Sequence, residues 1–211
     1  MADVEVQTPA SPSAPESQAS HTHTPAMPTF DQLTLSTARL LLRPLRKSDA
    51  DALLGIFSDP EVMRYWSSTP WVSVEQAHAM IDRDVKAMAA AEHLRFGLER
   101  TADGKLIGIC TLFALSDQCR RAEVGYVLAS QAWGMAYMDE ALRALLNYGF
   151  TELSLNRVEA DIDPRNEASA KSLERLGFTK EGHLRERWIV GGEVSDTALY
   201  GLLHREWRWR A

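Results

Sequence analysis

The sequence predicts a mixed α/β layer, antiparallel in its first half and with one parallel crossover pair, and three observations lead there. Two apolar runs, Leu94 to Arg100 and Leu106 to Leu115, flank Asp103-Gly104, which is the signature of an antiparallel hairpin. Two short β patterns, Glu123 to Leu128 and Arg157 to Asp161, are separated by a segment with Met138, Ala141, Leu142, Leu145 and Leu146 at helical spacing. Strand, helix and strand in that order make a parallel crossover. A last pair of strands, Phe178 to Ile189 and Glu193 to Leu203, meets at Gly191-Gly192.

Taken in order, the elements number about seven strands and four helices. Ala38 to Leu45 reads as the first strand, and Lys47-Ser48-Asp49 offers polar caps to a short helix through Phe57. Asp59 to Trp71 is dense in aromatic residues and turn formers and reads as irregular. Ser73 then caps a helix with Ala77, Met80, Ile81, Val85 and Met88 on its apolar face, ending near Ala91. After Asp163-Pro164, a helix runs from about Asn166 to Leu176 and closes on Gly177, the position glycine favours past a helix end. There is no internal repeat.

Composition bounds the function. The chain has 211 residues, 45% hydrophobic and 25% charged, enough for one core. Residues 1–30 differ: they are rich in Pro, Ser, Thr and Ala, contain no Lys or Arg, and read as a disordered tail before one domain over 31–211. The tail has neither the basic start of a secretory signal nor the arginines of a transit peptide, so a cytoplasmic location is expected. No apolar run is long enough to span a membrane. Three acidic residues, Asp3, Glu5 and Glu16, lie in the tail, so the remainder carries a formal charge of −3, which argues against direct nucleic-acid binding. Cys110 and Cys119 are too few for a disulfide framework and are expected to be reduced and structural. His78, His93, His183 and His204 show no metal-ligand spacing with them, His21 and His23 lie in the tail, and no Ser-His-Asp order emerges, so no metal is expected.

The sharpest local feature is Gln131 to Tyr137, where a strand gives way to an amphipathic helix through Trp133-Gly134-Met135-Ala136. A helix start presents unpaired N–H groups and the positive end of its dipole, and so suits a phosphate. An ordinary strand-to-helix turn reads the same way in isolation. The ordered set Glu123-Val124-Gly125-Tyr126, Gln131-x-x-Gly134-x-Ala136, Asn166-x-x-Ser169 and Leu176-Gly177-Phe178, however, resembles the GNAT superfamily of N-acetyltransferases over about residues 36 to 207. Within it the chain is most similar to the branch that acetylates the N-terminal residues of ribosomal proteins.

That resemblance implies acetyl-CoA wedged where two central parallel strands splay apart. Tyr126, Val127 and Leu128 would offer backbone groups to the pantetheine arm, Trp133, Gly134, Met135, Ala136 and Tyr137 would cradle the pyrophosphate, and Asn166 would hold the arm further along. Gln131 stands where the family more often has Arg, one cationic contact fewer. Transfer is direct: an amine attacks the thioester, a backbone N–H near Val127 or Leu128 polarises its oxygen, and Ser169 meets the departing sulfur. Glu123 is the candidate base. Tyr126 or Tyr137 could instead act as the acid. Each has a structural alternative, since Asn166 and Ser169 suit a helix cap, Glu123 a strand-edge salt bridge, and Tyr126 and Tyr137 packing. Asp139 and Glu140 complement the helix dipole.

The acceptor site is expected between Asp59–Trp71 and the Gly191-Gly192 hairpin, with Tyr65, Trp66 and Trp71 as lining. The acceptor is an amine: a protein N-terminus in the first reading, a small amine, amino acid or antibiotic-like compound in the second. A non-catalytic acyl-CoA sensor is the alternative of another class. Trp207 and Trp209 would cover the sheet or meet a second subunit in a homodimer.

Overall fold

Eight strands and five helices form in the structure, a computed structural model that describes residues 29–208. The strands are β1 (Leu35–Ser36), β2 (Leu40–Arg43), β3 (Leu94–Arg100), β4 (Leu106–Ser116), β5 (Arg121–Leu128), β6 (Arg157–Ile162), β7 (Thr179–Val190) and β8 (Glu193–Leu203). They make one sheet in the order β1-β2-β3-β4-β5-β6-β8-β7, antiparallel throughout except for β5 beside β6. The helices are α1 (Ala50–Phe57), α2 (Pro60–Met63), α3 (Val74–Ala89), α4 (Tyr137–Thr151) and α5 (Glu167–Leu176). Against the sequence reading, the added elements are the two-residue β1 and the single turn α2.

Each face of the sheet is covered by its own helices, which is why the central strands carry apolar residues in both directions. On one face Leu142, Leu145 and Leu146 of α4 and Leu173 and Leu176 of α5 pack against Leu112, Val124 and Val158. On the other, Leu53, Ile56 and Phe57 of α1 and Ala77, Met80 and Ile81 of α3 pack over Ile109 and Val127. Phe30, the last residue of the expected tail, is fully buried, and its N–H donates to the Met88 carbonyl; the rest of the tail except Thr29 lies outside the described residues. Trp207 is buried beside Phe150, whereas Trp209 lies outside them.

Three local expectations are corrected and one is sharpened. The first strand is confined to Leu40–Arg43: Thr37 Oγ1 takes the Leu40 N–H at 3.0 Å on one side, and Pro44, with no N–H to give, stops the ladder on the other. Asp49 is the N-cap residue of α1, as expected, but its carboxylate caps no α1 N–H: it is buried, takes the Arg46 N–H at 2.7 Å, and is gripped at both oxygens by the Arg43 guanidinium at 2.8 and 2.9 Å. On α3 it is Asp84 that is buried, held by Arg95 and His93, while Val85 is 52% exposed. Within the supposedly irregular stretch, Asp59 caps α2 by accepting the Glu61 N–H at 2.9 Å, with Pro60 at the first helical position.

Candidate active site

The site begins with an unfinished ladder. β5 and β6 pair only at Arg121↔Arg157, Ala122↔Val158 and Glu123↔Glu159, yet β5 runs on to Leu128 and β6 to Ile162. On its other edge β5 stays in register with β4 from Glu123 to Leu128. The Ala129 N–H donates to Ile107 at 2.8 Å, and strand alternation then turns the backbone of Val127 and Gly125 toward β4 and that of Tyr126 and Leu128 toward the gap. This corrects the expectation for Val127, whose polar backbone is committed to the sheet and whose side chain is buried beneath α1 and α3. Tyr126 and Leu128 supply the N–H groups that face the opening. The Leu128 carbonyl is already taken by the indole N–H of Trp133 at 2.8 Å.

Side chains alternate across the same strand. Glu123 points to the face of α1 and α3, into an open cavity of about 1000 Å³. Burial raises its carboxyl above the ordinary range, the neighbouring charge of Glu159 adds to this, and Arg121, 3.9 Å away, opposes it. The cavity is lined by Tyr65, Trp66 and Trp71, the three aromatic residues the sequence reading named as lining, and also by Asp161, Trp188 and Glu193, which it did not. Trp71 and Trp66 also pack on Phe57, stacked at 4.4 Å and edge-on at 5.6 Å, so packing and lining coincide. Arg165 ties the walls together: it pairs with Asp163 and Glu193 and lies over the Tyr65 ring.

Tyr126 points to the opposite face, toward α5. Its hydroxyl lies 2.6 Å from Ser169 Oγ, and burial pushes its ionisation up to about 12. Asn166 Oδ1 accepts the Ser169 N–H at 3.1 Å, so Asn166 is the helix cap and at the same time sets where Ser169 sits. The structure thus brings Tyr126, Asn166 and Ser169 together, with Glu123 across the sheet.

The turn before α4 suits an anion. Gly134 and Ala136 both have positive φ, +75° and +59°, and a Cβ added at Gly134 would meet nothing within 4 Å. Ala136 is the N-cap and its methyl cannot accept a hydrogen bond, so the first N–H groups of a fifteen-residue helix keep no side-chain partner there. Asp139 and Glu140 would repel an anion, but Arg143 and Arg39 neutralise them. Sequence reasoning missed Arg39, far away in the chain. It donates to Glu140 at 2.7 Å and to the Met135 carbonyl at 2.9 Å, and stacks 4.6 Å from the centre of the Tyr137 ring. Only its proximity in space reveals it. Gln131 is exposed at the entrance to this turn, and Tyr137 is buried beneath Arg39.

Elsewhere, Cys110 is buried and its thiol is held protonated by burial; Cys119 is exposed. Among the described residues no cluster of three metal-ligating side chains forms, and no helix is long and apolar enough to cross a membrane.

A mixed sheet whose one parallel pair parts midway, with a bare helix start beside the gap, defines the acyl-CoA-dependent N-acetyltransferase class. The chain belongs to that family, since residues 39–179 match the acetyltransferase (GNAT) domain. It is 39% identical over 174 residues to an uncharacterized N-acetyltransferase, p20, of Bacillus licheniformis, covering 82% of this chain and 98% of that one. Over 105 residues it is 41% identical to YdaF of Bacillus subtilis, provisionally named a ribosomal N-acetyltransferase, covering 50% and 57% of the two chains. To spermidine N(1)-acetyltransferase of Escherichia coli it is 27% identical over 155 residues, covering 74% and 81%. A solved GNAT-family acetyltransferase from Bacillus anthracis superposes with a TM-score of 0.73 at 25% identity, over 82% of this chain and all of that one. The chain is an acetyl-transferring enzyme, and enzymes of this fold use acetyl-CoA.

Proposed function

We propose that the protein moves an acetyl group from acetyl-CoA directly to a protein N-terminal α-amine, of the kind ribosomal proteins offer. The observation that carries this is the split between β5 and β6, which opens the sheet between a cavity holding Glu123 and the opposite face holding Tyr126 and Ser169. Acetyl-CoA supplies the activated acetyl thioester. Around it, the α4 start holds the pyrophosphate on backbone N–H groups, Tyr126 and Leu128 offer N–H groups in the gap, and Asn166 fixes Ser169.

The amine enters from the cavity, loses a proton to Glu123 directly or through a water, and forms the new N–C bond. The C–S bond breaks toward the other face. There the Ser169 and Tyr126 hydroxyls, 2.6 Å apart, hydrogen-bond the leaving sulfur and return a proton to it. The Leu128 N–H stabilises the charge that develops on the carbonyl oxygen.

An α-amine, with a pKa of about 8, needs only modest help from one carboxylate, whereas a lysine near 10.4 needs far more. The cavity volume stands at the upper end of small-ligand pockets and suits an extended peptide end. Polyamines fit less well, because Asp161, Asp163 and Glu193 on the wall already face arginines and leave few free carboxylates for extra ammonium groups. The likeness to YdaF points the same way.

The test is CoA release with acetyl-CoA and a panel of N-terminal peptides, α-blocked lysine peptides, spermidine and single amino acids. Turnover should be greatest with free N-terminal peptides. Preference for spermidine or a single amino acid would replace this acceptor, and a silent panel would favour an acyl-CoA sensor.

A further inference from the structure

On the face of the sheet that lines the acceptor cavity, the parallel register of β5 and β6 sets charged residues side by side. Arg121 lies across from Arg157 and Glu123 across from Glu159. The arginine between the two carboxylates is not shared equally. Arg121 Nη1 hydrogen-bonds Glu159 closely but stays 3.9 Å from Glu123. Glu159 is held from its other side by Arg157 Nε at 2.7 Å, and Arg157 is itself anchored by Glu181. The chain Glu181, Arg157, Glu159, Arg121 therefore ends one step short of Glu123.

We propose that Glu159 is a positioning residue for the base: it holds Arg121 away from Glu123 and so keeps Glu123 free and proton-seeking. The inference rests on Glu123 acting as the base. A carboxylate in a tight ion pair with Arg is a poor proton acceptor, while one beside a like charge is a better one. Glu159 acts in both ways, by occupying the arginine and by adding negative charge next to Glu123. The upward displacement of the Glu123 carboxyl agrees with that arrangement. Of the other charges near Glu123, Asp161 on β6 acts with Glu159 and Arg187 on β7 acts against it. Elsewhere on the cavity wall, Arg165 pairs with Asp163 and Glu193, and Arg95 is occupied by Asp84, which leaves Arg64 and Arg83 as exposed cations.

The removal of Glu159 and the removal of Arg121 should therefore move the base in opposite directions, a result that general loosening of the sheet would not produce. The experiment is the pH profile of kcat/KM for the acceptor at saturating acetyl-CoA, in the full chain and in Glu123→Gln, Glu159→Gln and Arg121→Gln. Two breaks are expected on the acid side, the upper one near 8 belonging to an α-amine acceptor and unmoved by any of these changes. Glu123→Gln should abolish the lower break. Glu159→Gln should shift it down by about one pH unit and Arg121→Gln should shift it up by about half a unit. If Glu123→Gln removes the lower break while both other variants leave it in place, or move it the same way, the positioning role is overturned and the base stands. If Glu123→Gln keeps the lower break, the base fails and the positioning role fails with it.

Discussion

Ser169 and Tyr126 show how much chemistry two hydroxyls can acquire from their surroundings. Neither is acidic alone; at 2.6 Å from each other, one donates to its partner while the partner's hydrogen remains available to a leaving sulfur. Ser169→Ala should lower kcat by about tenfold while leaving acetyl-CoA affinity within about twofold, because the interaction grows only as the thiolate forms. Equal losses in turnover and affinity would return Ser169 to packing. Because the Tyr126 phenol ionises only at about 12, it stays a donor as pH rises through the neutral and mildly alkaline range. No fall in kcat due to this group should occur below about pH 10, and a Tyr126→Phe variant that removed such a fall would contradict the assignment. On the other side, Glu123 has its proton affinity raised by burial, so activity should drop on acidification at a pH above that of an ordinary glutamate. The family resemblance implied roles for Glu123, Asn166 and Ser169, but not the pairing of Tyr126 with Ser169, which joins β5 to α5 across 43 positions.

The turn from Gln131 to Tyr137 is where local sequence and tertiary support meet. Gly134 stood out in the sequence as the small residue of the strand-to-helix turn; in the structure it has positive φ, and Ala136 at +59° stands where glycine would be less strained. Ala136→Gly should therefore raise stability, or at least not lower it, by up to about 1 kcal/mol in thermal or denaturant unfolding. A clear destabilisation would show that the methyl is needed for packing. Arg39 locks the same turn from the position just before β2, and no motif announces it, since an arginine before an apolar strand is commonplace. Arg39→Ala removes the cation beside Glu140, which keeps its hydrogen bonds from Thr37 Oγ1 and from the backbone N–H of residue 39, and unlatches the Met135 carbonyl. Acetyl-CoA affinity should fall by about tenfold, measured by calorimetry, through lost preorganisation and an unscreened carboxylate. Elements with strong periodicity, such as α4 and the β3–β4 hairpin, were readable from the chain alone. The single turn α2 was not, because four residues carry no period and only the Asp59-Pro60 cap marks it.

At the scale of the whole molecule, one parallel pair in an otherwise antiparallel sheet makes the site possible, since two parallel strands tied by α4 can diverge where no hairpin holds them. The order of elements already implied that pair, but where it parts depends on register, which the pattern of apolar residues does not report. The same limit hid the Arg43–Asp49 pair, 4% and 5% exposed, because charged residues read as surface until a structure shows them matched. Removing one partner by Asp49→Ala should cost about 3 kcal/mol in chemical denaturation, since the buried arginine keeps only Glu99 as its anion. A loss below about 1 kcal/mol would mean that Glu99 alone suffices for Arg43. All these parts converge on one act, transfer of acetyl to an α-amine through the split sheet. The most direct measurement is mass-spectrometric mapping of the acetyl group on a ribosomal-protein N-terminal peptide that also carries an internal lysine, after incubation with acetyl-CoA and enzyme. The account predicts one acetyl per peptide, on the α-amine, and none on the lysine; acetylation of the lysine alone, or an unmodified peptide alongside rapid acetylation of spermidine, would contradict it.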